Sequence, residues 1–223
     1  MGLSYYECFD AAEYVLDALA NIGEHWSCLI GGMAAKLHGV DRVVKDLDIA
    51  VLRPDSSEED IQDALVDYDS SRFYLERPRD RRASFYKLMY RIPDTTHVIK
   101  VDLLLGDNLD AEIPRTFHRN HFVEIDGLRV APLYFVLYHK LLGWDLRTDD
   151  RRLWKRDQAN EKDYPDIIAL CKIIYRLGMR PLSKGHMGRE YLDNYQRRAE
   201  SIASYYNDRN LARRQLRRIG FNV

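Results

Sequence analysis

The chain has 223 residues, 46% hydrophobic and 31% charged, with 34 Lys and Arg against 35 Asp and Glu, a formal net charge of -1. At roughly 100–200 residues per domain this length is one domain, or one domain with a helical appendage. The apolar content excludes global disorder, and the longest apolar runs, 26–30 and 101–105, fall far short of the ~20 residues a bilayer span requires.

Cys8, Cys28 and Cys171 are an odd number at scattered spacings. A disulfide framework is not expected, and a reducing compartment is. The first residues lack a basic segment followed by an apolar core, and Tyr6 stands where a myristoylation motif needs Ser or Thr, so cytoplasmic residence is the expectation.

In chain order, Ser4 with Glu7 forms a capping box, and Phe9, Ala12, Val15, Leu16 and Leu19 follow at helical spacing, predicting an amphipathic helix over 4–22 that Gly23 ends. Residues 26–30 read as a buried strand entering the Gly31-Gly32 turn, and 33–38 as a short helix stopped by Gly39. The segment 46–52 alternates and then turns wholly apolar, as a central strand does when its first part faces a site. Ser56 and Glu59 predict a second capping box, opening a helix to about Tyr68. Strands follow at 72–76, 85–92 and 97–105, then a hairpin pairing 122–125 with 128–131 around Asp126-Gly127.

From Pro132 the pattern becomes helical, with Leu133, Val136, Leu137, Lys140 and Leu141 on one face. The stretch 145–160 holds nine charged residues among sixteen and reads as an exposed loop. A helix over 161–177, a Gly- and Pro-containing linker over 178–188 and basic helices complete the chain. The expected fold class is α+β: a mixed β-sheet with flanking helices in a domain over 1–131, then a C-terminal helical region over 132–223.

The most informative spacing is Gly31-Gly32, thirteen residues, then Asp46-Leu47-Asp48-Ile49. Two carboxylates one residue apart in a strand project to the same face. Like charges that close call for a cation, and Mg²⁺ (or Mn²⁺) suits hard oxygen ligands while leaving positions for phosphate oxygens. The Gly-Gly turn lets backbone amides approach a triphosphate. Asp102, in the apolar strand Val98–Leu105, supplies a third carboxylate for a two-cation site if that strand lies beside 46–52.

Ile30-Gly31-Gly32, Asp46-x-Asp48 and Asp102 together resemble the nucleotidyltransferase superfamily of DNA polymerase β-like fold. The segments 131–140 and 162–170 are similar to the helical motifs of the AbiEii-type toxin nucleotidyltransferases, where a helix Lys and a Lys/Arg-Asp-x-x-Asp helix complete the site; the resemblance spans about 25–172. It implies Mg²⁺-dependent transfer of a nucleoside monophosphate from an NTP to a hydroxyl. Asp46 and Asp48 would hold metal and phosphates, and Asp102 the second ion and the acceptor proton. Lys140 would meet phosphate charge, Asp166 or Asp163 would fix Lys140 or contact the nucleotide, and Lys162 would add charge. The acceptor could be RNA such as tRNA, a protein side chain or an antibiotic-like small molecule, and a toxin-like role would require a neutralising, antitoxin-like protein partner. A binding module that keeps NTP or a protein partner without turnover is the competing class.

Other features are ambiguous. Arg42 and Lys45 either contact phosphate or solubilise a loop. Arg77, Arg79, Arg81 and Arg82 read as a solvated loop or an acceptor groove. His118 and His121 lack companions for zinc. Cys28 reads as core rather than nucleophile. Among 15 tyrosines, the pairs 5–6 and 205–206 suit packing or base stacking. From Arg189 onward eight arginines face four acids, a basic tail that is either a solvated helix face or a phosphate-binding surface.

Overall fold

A computed structural model describes residues 3–54, 56–78, 85–106, 112–114, 117–180, 188–206 and 211–223. It divides into two compact units, one formed by 1–36 with 42–131 and the other by 37–41 with 132–223.

The first unit is α+β, as the sequence predicts. It opens with α1 (Tyr5–Asn21), whose N-terminus carries the expected reciprocal cap: the Ser4 hydroxyl accepts from the Glu7 amide and the Glu7 carboxylate accepts from the Ser4 amide. Next come β1 (Ser27–Ile30), α2 (Gly31–Leu37), β2 (Asp46–Val51), α3 (Glu58–Tyr68), β3 (Phe73–Glu76), β4 (Lys87–Arg91), β5 (Val98–Leu105), and the hairpin β6 (Val123–Ile125) and β7 (Leu128–Val130). The sheet is mixed and seven-stranded, in the order β3-β4-β5-β2-β1-β7-β6. The β2–β5 and β1–β7 pairs are parallel and the others antiparallel. The hairpin turns where expected, with Asp126 and Gly127 both at positive φ, the geometry a two-residue primed turn needs.

Three expectations shift. The helix after β1 begins at Gly31 rather than residue 33, so Gly31-Gly32 form the turn of chain that enters α2. The cap of α3 is Ser57 with Asp60, not Ser56 with Glu59. Both serines have an acid three residues on, and the observed start is the one that buries Ile61 and Leu65. The stretch 145–160 is not a loop. In the second unit α4 (Leu133–Thr148) runs into it, α5 (Leu153–Gln158) follows, and a π-helical turn (Ala159–Asp163) leads into α6 (Tyr164–Arg176). Its charges are compatible with helix because they solvate outer faces while Trp144 and Ala159 are buried. Pro165 sits in the first turn of α6, where its missing N–H costs nothing.

The second unit ends with α7 (Arg189–Tyr205) and α8 (Leu211–Arg218). Part of the proposed linker (181–187), most of the arginine loop (79–84) and Asp208 with Arg209 lie outside the described residues. Among the described residues no helix is long and apolar enough to cross a membrane.

Candidate active site

The centre of the sheet gathers the predicted residues of the first unit by register. β1 and β2 run antiparallel with Ile30 opposite Asp48, so the chain leaves β1 beside that carboxylate. β2 and β5 run parallel with Asp46 opposite Lys100 and Asp48 opposite Asp102. Neighbouring strands lie ~4.8 Å apart and paired residues share a face. Asp46, Asp48, Lys100 and Asp102 are thus half-buried on one face, while Leu47, Ile49, Val101 and Leu103 fill the other.

Gly31 is fitted to this place. Its φ is +59°, and a Cβ there would stand 1.9 Å from Asp48 Oδ2. The next amide, of Gly32, donates to the same Asp48 Oδ2 at 3.1 Å. The Gly-Gly turn therefore orients Asp48. Arg42 lies over Gly32, with Nη2 3.0 Å from where a Cβ would be, whereas Lys45 is exposed.

Lys100 belongs to the same set, although no motif marks it. Its Nζ lies 2.5 Å from Asp102 Oδ1 and 2.7 Å from Oδ2, with both side chains over one-third exposed. The available signal was its spacing: a lysine two residues before an aspartate in a strand shares its face. Beside Asp102 opens a cavity of about 510 Å³, lined among others by Glu58, Gln62, Tyr86, Lys87 and Lys100. Burial, and secondarily the Asp102 charge, push the Glu58 carboxyl above its usual range.

Among the described residues, no three His, Cys, Asp or Glu side chains are grouped closely enough to hold a metal ion. Asp48 accepts from the Gly32 amide, and Asp102 accepts from the Lys100 ammonium. The donors are nonetheless of the hard-oxygen class that Mg²⁺ takes. Three carboxylates lie on one face of adjacent central strands, two of them directly opposite one another, beside a glycine turn with no room for a side chain.

The second unit brings together the predicted helical residues. Lys140 Nζ lies 2.9 Å from Asp166 Oδ2 and 3.9 Å from Asp163 Oδ1, all three residues being buried. The π-helical turn delivers Asp163 into this cluster, a local widening that frequently marks functional positions. Arg147, two turns along α4 from Lys140, hydrogen-bonds Asp163 by lying back over Gly143. Lys162, on the same turn, is exposed.

The other candidates resolve simply. Cys28 and Cys171 are fully buried and burial pushes both thiols well up; burial also raises Cys8, to about 11. These thiols are inert core groups. His118 Nδ1 meets the Arg53 guanidinium at 3.0 Å, and the His121 ring stacks on Phe117. Tyr206 packs against Tyr164 and Tyr205 and bonds Asn160, an internal role rather than a stacking platform.

No protein-family model and no curated protein match this sequence. Among solved structures, the chain is similar to JHP933 from Helicobacter pylori (TM-score 0.48, 16% identity, 98% of this chain and 90% of that one). It is also similar to an H. pylori protein provisionally described as a nucleotidyltransferase (TM-score 0.40, 13% identity, 97% and 93% covered). A third is the antibiotic-resistance factor ANT(2'')-Ia (TM-score 0.43, 13% identity, 88% and 94% covered).

Proposed function

We propose that this chain is a Mg²⁺-dependent nucleotidyltransferase that moves a nucleoside monophosphate from an NTP to a hydroxyl acceptor and releases pyrophosphate. The observation that carries the reading is the register of the central strands: Asp48 stands opposite Asp102 in parallel pairing, with the Gly31-Gly32 turn packed directly on Asp48.

Asp46, Asp48 and Asp102 would hold the metal, which supplies charge neutralisation at the triphosphate and the departing pyrophosphate. The Gly32 amide fixes the rotamer of Asp48, so that carboxylate is already aimed when substrate arrives. Asp102, at the edge of the cavity, takes the proton of the acceptor hydroxyl as its oxygen bonds to the α-phosphorus. The bond from the α-phosphorus to the bridging oxygen breaks, and pyrophosphate leaves with the electron pair. Within the helical unit, Asp166 positions Lys140 at 2.9 Å.

A second reading is a module that keeps NTP without turnover. The Lys100–Asp102 pair favours it, because an internal cation already neutralises the third carboxylate. One experiment separates the two: incubation with each α-labelled NTP, Mg²⁺ and total RNA or small hydroxyl acceptors, comparing the wild type with Asp48→Ala. Transfer lost in the variant supports the enzyme. NTP binding without transfer to any acceptor supports the module, and transfer that survives the substitution refutes the metal assignment.

A further inference from the structure

The arginines that give the C-terminal region its positive excess fall into two groups. On α7, Arg197 and Arg198 are both bonded to Asp145 Oδ2, at 3.0 and 3.2 Å. Among the described residues, Arg213, Arg214, Arg217 and Arg218 of α8 line a concavity of about 470 Å³, and none of the four has an Asp or Glu partner. Arg217 bonds the Val223 backbone oxygen, Arg218 lies 5.3 Å from the Tyr175 ring centroid, and among the described residues the buried Nε of Arg213 has no hydrogen-bond partner.

This arrangement is unfavourable for the helix by itself. Arg213 with Arg217 and Arg214 with Arg218 are like-charge pairs at i, i+4. Arg217 and Arg218 suit the negative end of the helix, but Arg213 and Arg214 stand toward the positive end, where no acid occupies the first turn. Guanidinium forks match phosphate oxygens two at a time, so four in one concavity form a site for several phosphates. An interfacial membrane helix would need a free apolar face. The apolar face of α8 is already spent: Ala212 and Leu216 are buried, as are Ile219 and Phe221 beyond it.

We infer that the α8 arginine face binds the phosphate backbone of a nucleic acid, without base selectivity. Binding itself is independent of the transfer chemistry; that the bound strand carries the acceptor hydroxyl rests on the nucleotidyltransferase reading. The test therefore omits NTP and Mg²⁺. Fluorescence anisotropy with a labelled 20-nucleotide RNA, and with the DNA of the same sequence, is measured over a salt series for the full chain. The comparison is with R213Q/R214Q/R217Q/R218Q and with the fourfold Arg→Lys variant.

The wild type is expected to bind both strands. The glutamine variant should bind at least about ten-fold more weakly near physiological salt, with the slope of log K against log[salt] reduced by about 3, from ~0.7 per phosphate contact on a single strand. The lysine variant should keep the wild-type slope. Thermal unfolding accompanies the titration, because removing like-charge pairs should leave the glutamine variant at least as stable as the wild type. Should it fail to fold, R214Q/R218Q, which alters exposed side chains, should lower the slope by about 1.4 on the same arithmetic. No binding by the wild type, an unchanged slope in a folded glutamine variant, or binding of vesicles of phosphatidylcholine with phosphatidylglycerol or of polyglutamate as tight as RNA would overturn the inference.

Discussion

Replacing Gly31 with alanine tests whether the glycine turn builds the site. At φ +59° a residue with a Cβ sits in the left-handed region, which costs ~1–2 kcal/mol. The new Cβ would also stand 1.9 Å from Asp48 Oδ2 and 2.5 Å from its Cγ, distances no rotamer adjustment of alanine can relieve. Asp48 must swing away and give up the Gly32 amide, a charge-assisted bond of ~1.5–3 kcal/mol that water restores in part at this half-buried position. The expected loss is about 2–4 kcal/mol. Gly32→Ala is the control. Gly32 has no positive φ, and the nearest obstacle is the flexible end of Arg42, so its stability should stay within ~1 kcal/mol of wild type. Urea unfolding followed by circular dichroism reads both. Equal costs for the two alanines, or a Gly31→Ala protein as stable as wild type, would refute the claim that the turn is shaped around Asp48.

Three further predictions follow from the ion pairs. Lys140→Met removes the ammonium paired with the buried Asp166 carboxylate and should cost ~3–5 kcal/mol in urea unfolding, whereas Lys140→Met/Asp166→Leu should recover most of it; a double variant as unstable as the single one would count against the pairing. Glu7 is held down to about 2 by the Ser4 amide, then the Ser4 hydroxyl and His97, so its contribution is present above the ordinary value of 4.5 and lost as pH falls through about 2. Glu7→Gln should therefore unfold at lower urea than wild type at pH 6, with the difference gone near pH 2; a difference that persists there contradicts the assignment. Lys100→Met should tighten Mn²⁺ binding, read by electron paramagnetic resonance, by up to about five-fold, the equivalent of a ~1 kcal/mol part-exposed pair; weaker binding would show that Lys100 does not compete for Asp102.

The fold was legible where local signals agreed. The Ser4–Glu7 box, the Asp126-Gly127 turn and the alternation in β2 and β5 each specify an element without help from distant residues. Asp46, Asp48 and the Gly-Gly turn were legible for the same reason, since period-two spacing and glycine freedom are local facts. What escaped was set by tertiary contact. Nothing in Ser56-Ser57-Glu58-Glu59-Asp60 says which serine caps until Ile61 and Leu65 find the core. The charged stretch 145–160 looked like loop because composition does not show that Asp145 partners Arg197 and Arg198 from another helix. Lys100 was not legible because a lysine two residues before an aspartate in a strand shares its face without saying which group it meets.

Two lysines in this chain pair with aspartates, and their surroundings give them different capacities. Lys140 and Asp166 have side chains only 10% and 6% exposed, so separating them leaves a charge without water, at a cost of several kcal/mol. That pair is a fixed part of the helical unit. Lys100 and Asp102 are 39% and 34% exposed, where an ion pair contributes ~0–1 kcal/mol and either member can return to solvent. The exchangeable pair lies in the sheet, opposite Asp46 and Asp48, at the position where a divalent cation would have to enter. In the proposed reading, a cation meeting Asp46, Asp48 and Asp102 would displace one weakly held ammonium rather than a buried one. On that reading Lys100 would neutralise Asp102 in the free protein without barring a metal from the site.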